Sequence, residues 1–138
     1  LALPGSLYLR QGDEIALSDS DKPTAPLELA DMVIEHTQGQ ASQFGSPAAT
    51  VRHAAHVRLE YNLACAPLAF VTGLEWCPAE ALAFLVRGVL VVVNTSDAPI
   101  VLPPEAKVLL SSQPLRQDQG RLLVPPTTAT WLEATTVA

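Results

Sequence analysis

Positive charge is scarce in this sequence. Eight of its 138 residues are Lys or Arg against fourteen Asp and Glu, for a formal net charge of −6. Recognition of nucleic acid rests on Lys and Arg neutralising phosphates, and the eight here are scattered without forming a basic stripe, so a nucleic-acid partner is excluded. Long apolar runs are missing as well. Runs such as Val89 to Val93 fall far short of the roughly 20 residues that cross a bilayer, so no membrane span is expected. No basic segment followed by an apolar stretch and a cleavage site opens the chain, which predicts a cytoplasmic location. The first residue is Leu1 rather than Met, which fits a processed or truncated product and equally an expression artefact or a partial gene sequence. Cysteine is nearly absent. Cys65 and Cys77 cannot make a disulfide framework, and their spacing matches no zinc signature. Their apolar neighbours Ala64, Ala66, Trp76 and Pro78 predict two buried free thiols.

Aliphatic residues and proline dominate instead. A hydrophobic share of 49% with only 16% charged residues excludes disorder, which requires the reverse balance. Twelve prolines indicate short strands, turns and rigid connections. The length suits one ordinary domain and is too short for a (β/α)₈ barrel of about 250 residues.

Three zones follow one another. Residues 1–17 form an apolar run broken by Pro4-Gly5 and closed by the polar cluster Gln11-Gly12-Asp13-Glu14, and they read as a buried strand and loop. Residues 18–46 are rich in Ser, Asp, Pro, Gly and Gln and read as a connector. Within it, Leu27, Ala30, Val33 and Ile34 lie at helical spacing and suggest a short helix over 27–36. The clearest helix runs from Ser46 to Ala64. Ser46 suits the N-cap and Pro47 the first helical position. Val51, Ala55, Leu59 and Leu63 make an i, i+4 stripe with Arg52, Arg58 and Glu60 off it, and Pro67 closes the segment.

From Leu68 onward the pattern is strand-like. Ala81–Val86 and Val89–Val93 flank Arg87-Gly88, a two-residue hairpin turn. Asn94-Thr95-Ser96-Asp97 is a turn cluster, followed by strands at Ile100–Leu102 and Lys107–Leu110, a polar turn at Gln117–Gly120, and strands at Leu122–Val124 and Thr128–Leu132. Short strands about ten residues apart predict an antiparallel sandwich or open barrel.

The opening segment, Leu1-Ala-Leu-Pro-Gly-Ser-Leu-Tyr-Leu-Arg-Gln-Gly-Asp-Glu14, resembles the last barrel strand and following loop of the α-amylase superfamily, glycoside hydrolase family thirteen. The β zone resembles the small C-terminal domain of α-glucosidases in that family. The segments concerned are Ala81–Gly88, Val93-Asn94-Thr95-Ser96, Pro99–Pro103, Val108–Ser112 and Thr128–Leu132, which occur in the family's order. Arg52, Ala54, Val57 and Arg58 are similar to the helix that precedes the domain, with Val51 and Ala55 standing where Tyr and Leu are usual. The family's Arg- and Trp-bearing excursion beside the active site has no counterpart, since residues 18–46 contain neither residue.

The resemblance implies a mainly β fold. A C-terminal antiparallel β-sandwich would be preceded by one α-helix and a remnant of a (β/α)₈ barrel strand. The zones would be 1–46 for the strand, loop and connector, 47–66 for the helix and 67–138 for the β domain. It also implies the non-catalytic C-terminal portion of an α-glucosidase-like enzyme, whose partner is the catalytic barrel of the parent or of another chain and whose ligands are α-glucosides. The family's catalytic carboxylates lie upstream of the matched motif, so no catalytic residue is assigned here and the chain is expected to be inactive alone. Retaining glycosidases need two carboxyl groups about 5–5.5 Å apart across the scissile bond. Asp13 and Glu14 are adjacent and would point to opposite faces of an extended segment, so they do not form that pair themselves; the resemblance implies that they order the loop at the barrel mouth. Tyr8 and Gln11 complete the substrate-loop candidates and would approach a sugar only with a whole barrel present.

No metal or cofactor is assigned. His53, His56 and Glu60 share a helical spacing but match no ligand signature, and a solvated face is the expectation. Trp76 and Trp131 raise sugar stacking as an alternative, with core packing the default for Trp131. The alternative to the enzyme portion is a stand-alone β-sandwich that binds a carbohydrate or a protein without catalysis.

Overall fold

A computed structural model describes residues 1–136 of the chain. Two helices come first, α1 (Pro26–Gln40) and α2 (Pro47–Glu60), and eight strands follow. These are β1 (Leu68–Phe70), β2 (Leu82–Val86), β3 (Val89–Asn94), β4 (Ile100–Val101), β5 (Val108–Ser111), β6 (Arg116–Asp118), β7 (Arg121–Val124) and β8 (Thr128–Glu133). Short 3₁₀ turns occupy Asp13–Ile15, Leu63–Cys65 and Ala134–Thr136. The strands form two antiparallel sheets ordered β1-β2-β3-β8-β5 and β4-β7-β6. The mainly β, sandwich-like class is as expected, and the short helix expected within the connector precedes the one before the β domain. The expected β domain 67–138 extends two residues beyond those described.

The aliphatic runs are buried on both faces, which explains why they are continuous rather than alternating. On β3, Val89 and Val91 pack with Ala54 and Val57 of α2 and with Leu63. Leu90 and Val92 pack the other way, against Ile100, Leu102 and Val124 of the second sheet and its connections. On β8, Trp131 joins the helix side and Leu132 the sheet side. The five-stranded sheet is thus the middle layer between helices and the smaller sheet.

Turn chemistry sets the registers. Val86 pairs with Val89 across the predicted hairpin, and the left-handed residue is Arg87 (φ 56°). The β6–β7 hairpin turns through Gln119 (φ 46°) and Gly120 (φ 79°), the paired positive dihedrals that match the twist of the flanking strands. β6 itself was expected to be part of a turn, because its Arg-Gln-Asp sequence is polar throughout. It is exposed on an edge, where charged side chains guard against further strand pairing.

The helices depart from expectation in extent and rotation. α1 is longer than 27–36, and of its expected stripe only Val33 is buried, with Leu27 and Ile34 exposed. In α2 the inward residues are Ala54 and Val57, not Val51, Ala55 and Leu59, and Leu59 is 76% exposed. Ser46 is the N-cap as expected, accepting from the Ala49 amide at 3.2 Å while donating to the Gln40 carbonyl at 2.8 Å. α2 stops at Glu60, well short of Ala64 and Pro67. Asn62 enters the left-handed region (φ 48°) and swings the fully buried Leu63 into the core. That turn buries Leu63 and Ala66 and leaves Cys65 exposed, against the expectation of a buried thiol. Cys77 is half-buried, and desolvation pushes its thiol pKa up.

Residues 1–10 form no strand; the expected buried strand is an irregular segment with Leu3, Leu7, Tyr8 and Leu9 exposed. A strand needs a neighbour for its backbone groups, and the five-stranded sheet begins at β1. No helix among the described residues is long and apolar enough to cross a membrane.

Candidate functional site

The polar cluster at residues 10–22 is a closed loop built by its own charges. Gly12 adopts φ 96°, which favours glycine, and a Cβ there would lie 3.2–3.3 Å from Leu17 and Lys22 side-chain atoms, which would have to shift by a few tenths of an ångström. Asp13 and Glu14 then enter a 3₁₀ turn whose third residue, Ile15, is buried. The Asp13 carboxylate accepts from the Arg10 amide at 3.0 Å and from Lys22 Nζ at 3.3 Å. Glu14 accepts from the Gly12 amide at 2.9 Å. Asp19 receives Arg10 at 3.2 Å and Lys22 at 3.1 Å. Gln40 of α1 donates to the Ile15 carbonyl at 3.4 Å and ties the loop to the helices.

The acidic pair therefore engages the loop's own donors. Tyr8, 89% exposed, and Gln11, also exposed, stand in solvent beside it. The Arg10 amide, followed by Lys22, holds the Asp13 carboxyl below its ordinary value of 3.8. A depressed carboxyl favours the ordered loop above the ordinary pKa, and that contribution fades as pH falls through the lowered one. In an NMR titration the Asp13 carboxyl should have its midpoint below 3.8. At neutral pH, Asp13→Asn should loosen the loop, seen as faster exchange of the Arg10 amide. Below the lowered pKa the variant and the native chain should exchange alike.

A residue outside the predicted set holds the N-terminal segment in place. Arg58 of α2 donates from Nη1 to the carbonyls of Leu1 and Leu3, and from Nη2 to that of Gly5. The Gly5 amide donates to the Ala64 carbonyl at 2.8 Å, and Ala2 is buried in the core. Nothing local in the sequence marks Arg58, because its three acceptors lie more than fifty residues away. Arg58→Ala should cost the docked segment about 1–2 kcal/mol, read as a roughly tenfold faster exchange of the Gly5 amide. Unchanged exchange would show that the segment docks without the guanidinium.

No protein-family model matches this chain, and no curated protein matches it.

The large exposed hydrophobic residues are unevenly distributed. Leu3, Leu7, Tyr8, Leu9, Leu27, Ile34, Phe44 and Leu59 all precede residue 60, whereas the β part exposes only Phe70, Leu82 and Val101 among the described residues. The helical and N-terminal region thus presents the apolar surface, and the β part buries most of its own.

The histidines fall short of a metal centre. His53, His56 and Glu60 are exposed, as expected of a solvated face, and His53 Nε2 also lies 2.8 Å from the carbonyl of Leu109, where the β5–β8 register shifts. No group of three metal-ligating side chains occurs among the described residues. Trp131 is a core residue as expected, 5% exposed, and Trp76 is half-buried beside an open cleft.

Proposed function

We propose that this chain is the non-catalytic C-terminal portion of an α-glucosidase-like glycoside hydrolase, whose helical and N-terminal face packs on a catalytic barrel. The observation that carries the reading is the concentration of exposed apolar side chains in residues 3–59, the part of the chain that adjoins the barrel in the resembled enzymes. The ordered set of motifs supports it, from Leu1–Glu14 through Ala81–Gly88 to Thr128–Leu132. In this reading Leu3, Leu7 and Leu9 gain strand neighbours, and the loop closed by Asp13 and Glu14 sits at the barrel mouth. The chain supplies scaffold to the hydrolysis of α-glucosidic bonds, and the reacting carboxylates belong to the barrel.

The test is the intact mass of the native polypeptide in its source cells, together with its hydrolysis of p-nitrophenyl α-glucoside. A mass well above the 14.6 kDa of this chain, with α-glucosidase activity, is the expected result. A native polypeptide of 14.6 kDa, or a longer one without that activity, would overturn the proposal.

A further inference from the structure

The half-buried Trp76 has surroundings unlike those of the loop at residues 10–22. An open cleft of about 770 Å³ lies between the β1–β2 connection, the β3–β4 turn and the start of β7. Its volume is within the range of small-ligand sites. Trp76 lines it and also packs against the core cluster containing Ile100 and Leu102, so the indole is held in place from behind. Pro99 lines it too, in a turn whose backbone is already fixed. Asn94 Oδ1 receives the Ser96 amide and hydroxyl, and the Thr95 hydroxyl donates to the Glu80 carbonyl, joining the two walls. The cleft is formed before any ligand arrives, which lowers the cost of binding.

Its polar groups narrow the ligand class. Glu75, Glu80, Asp97 and Arg121 line the cleft, and their side chains make no hydrogen bond or ion pair with other described residues. This contrasts with residues 10–22, where Arg10, Asp13, Asp19 and Lys22 engage one another. An anion would meet three carboxylates, and a cation would meet the Arg121 guanidinium. A neutral polyhydroxyl ligand can use both kinds of group, since each hydroxyl donates to a carboxylate or accepts from a guanidinium. Its apolar face can lie on the indole.

We infer that this cleft is a binding site for a neutral oligosaccharide of di- or trisaccharide size, with Trp76 as its stacking platform and Glu75, Glu80, Asp97 and Arg121 as its hydroxyl contacts. The residues that line the cleft all lie outside residues 3–59, and the site does not depend on the proposed parent enzyme.

Tryptophan fluorescence of the full chain, titrated with maltotriose and separately with cellotriose, tests it. Trp131 is buried and serves as a constant background. The expected result is a saturable change for at least one trisaccharide, with a dissociation constant on the order of 1 mM. Affinity, followed by calorimetry, should fall about tenfold or more in Trp76→Ala, the loss of one aromatic contact. If Trp76→Ala fails to fold, Arg121→Ala and Glu80→Gln decide in its place, because both residues are exposed. Three results would each overturn the site: no saturation by either sugar, native affinity in these variants, or displacement of the sugar by equimolar choline or sulfate.

Discussion

Replacing Leu132 with Ala should lower the free energy of unfolding by about 3–4 kcal/mol, the upper part of the usual range for a buried leucine. Leu132 is fully buried on β8, which lies between β3 and β5 in the middle layer. It sits opposite Leu90 on one side and Val108 on the other, and its cluster includes Ile100, Leu102 and Val124 from the second sheet and its connections. The surrounding backbone is held by ladders on both edges and cannot close around the gap, so the transfer loss and the cavity cost add. Domains of this size are stable by about 5–15 kcal/mol, so a loss of this size would be visible as a large fall in urea midpoint with an unchanged slope. Leu59→Ala is the control. Its side chain is 76% exposed, and the same chemical change should cost less than about 0.5 kcal/mol. Equal costs at the two positions would refute the packing of the sheets against each other.

The second large effect is expected at Asn94, the fully buried last residue of β3. Its amide donates to the carbonyls of Ala98 at 2.9 Å and Val124 at 3.0 Å, and its oxygen accepts from the Ser96 amide at 3.1 Å and hydroxyl at 2.7 Å. One side chain thereby closes the β3–β4 turn and ties the five-stranded sheet to β7 of the other. Asn94→Ala removes four hydrogen bonds at a buried turn and should cost about 2–4 kcal/mol, more than the truncated atoms would by area alone. Asn94→Asp separates hydrogen bonding from size. At neutral pH it places a carboxylate against two carbonyl oxygens. A buried carboxyl has a raised pKa, so stability should fall as pH rises from about 4 to 7, a slope Asn94→Ala should lack. A flat profile for the Asp variant, with an Ala cost below about 1 kcal/mol, would mean that Asn94 is only a turn residue.

Both residues show where sequence reasoning reaches and where it stops. The runs around Val89–Val93 and Thr128–Leu132 are legible as strands because β-branched and aliphatic residues bounded by turn signals have few other uses. The Arg87-Gly88 hairpin, the Ser46 cap and the burial of Trp131 are legible for the same local reasons. Asn94 is visible only as a member of a turn cluster, since the carbonyl it satisfies belongs to a residue thirty positions away. The rotation of α2 is hidden for a related reason. Alanines flank every candidate stripe, and which of them is inward depends on the sheet beneath. The β6 strand has no apolar pattern at all, and it forms because its hairpin turn brings it against β7.

The site residues divide in the same way. Gly12, Asp13 and Glu14 announce a tight charged loop, because glycine beside two acids suits a backbone that turns and donates to carboxylates. That Asp13 also meets Lys22, that Arg58 reaches the carbonyls of residues 1–5, and that Trp76 shares a cleft with Arg121 depend on the packed chain. Local chemistry along the chain thus specified the strands, caps and turns, because each rests on neighbours a few residues apart. Packing specified the two layers around the central sheet, the inward face of each helix and the assembly of both candidate sites. Those arrangements bring together groups distant in sequence, and only the burial of shared apolar surface selects among them.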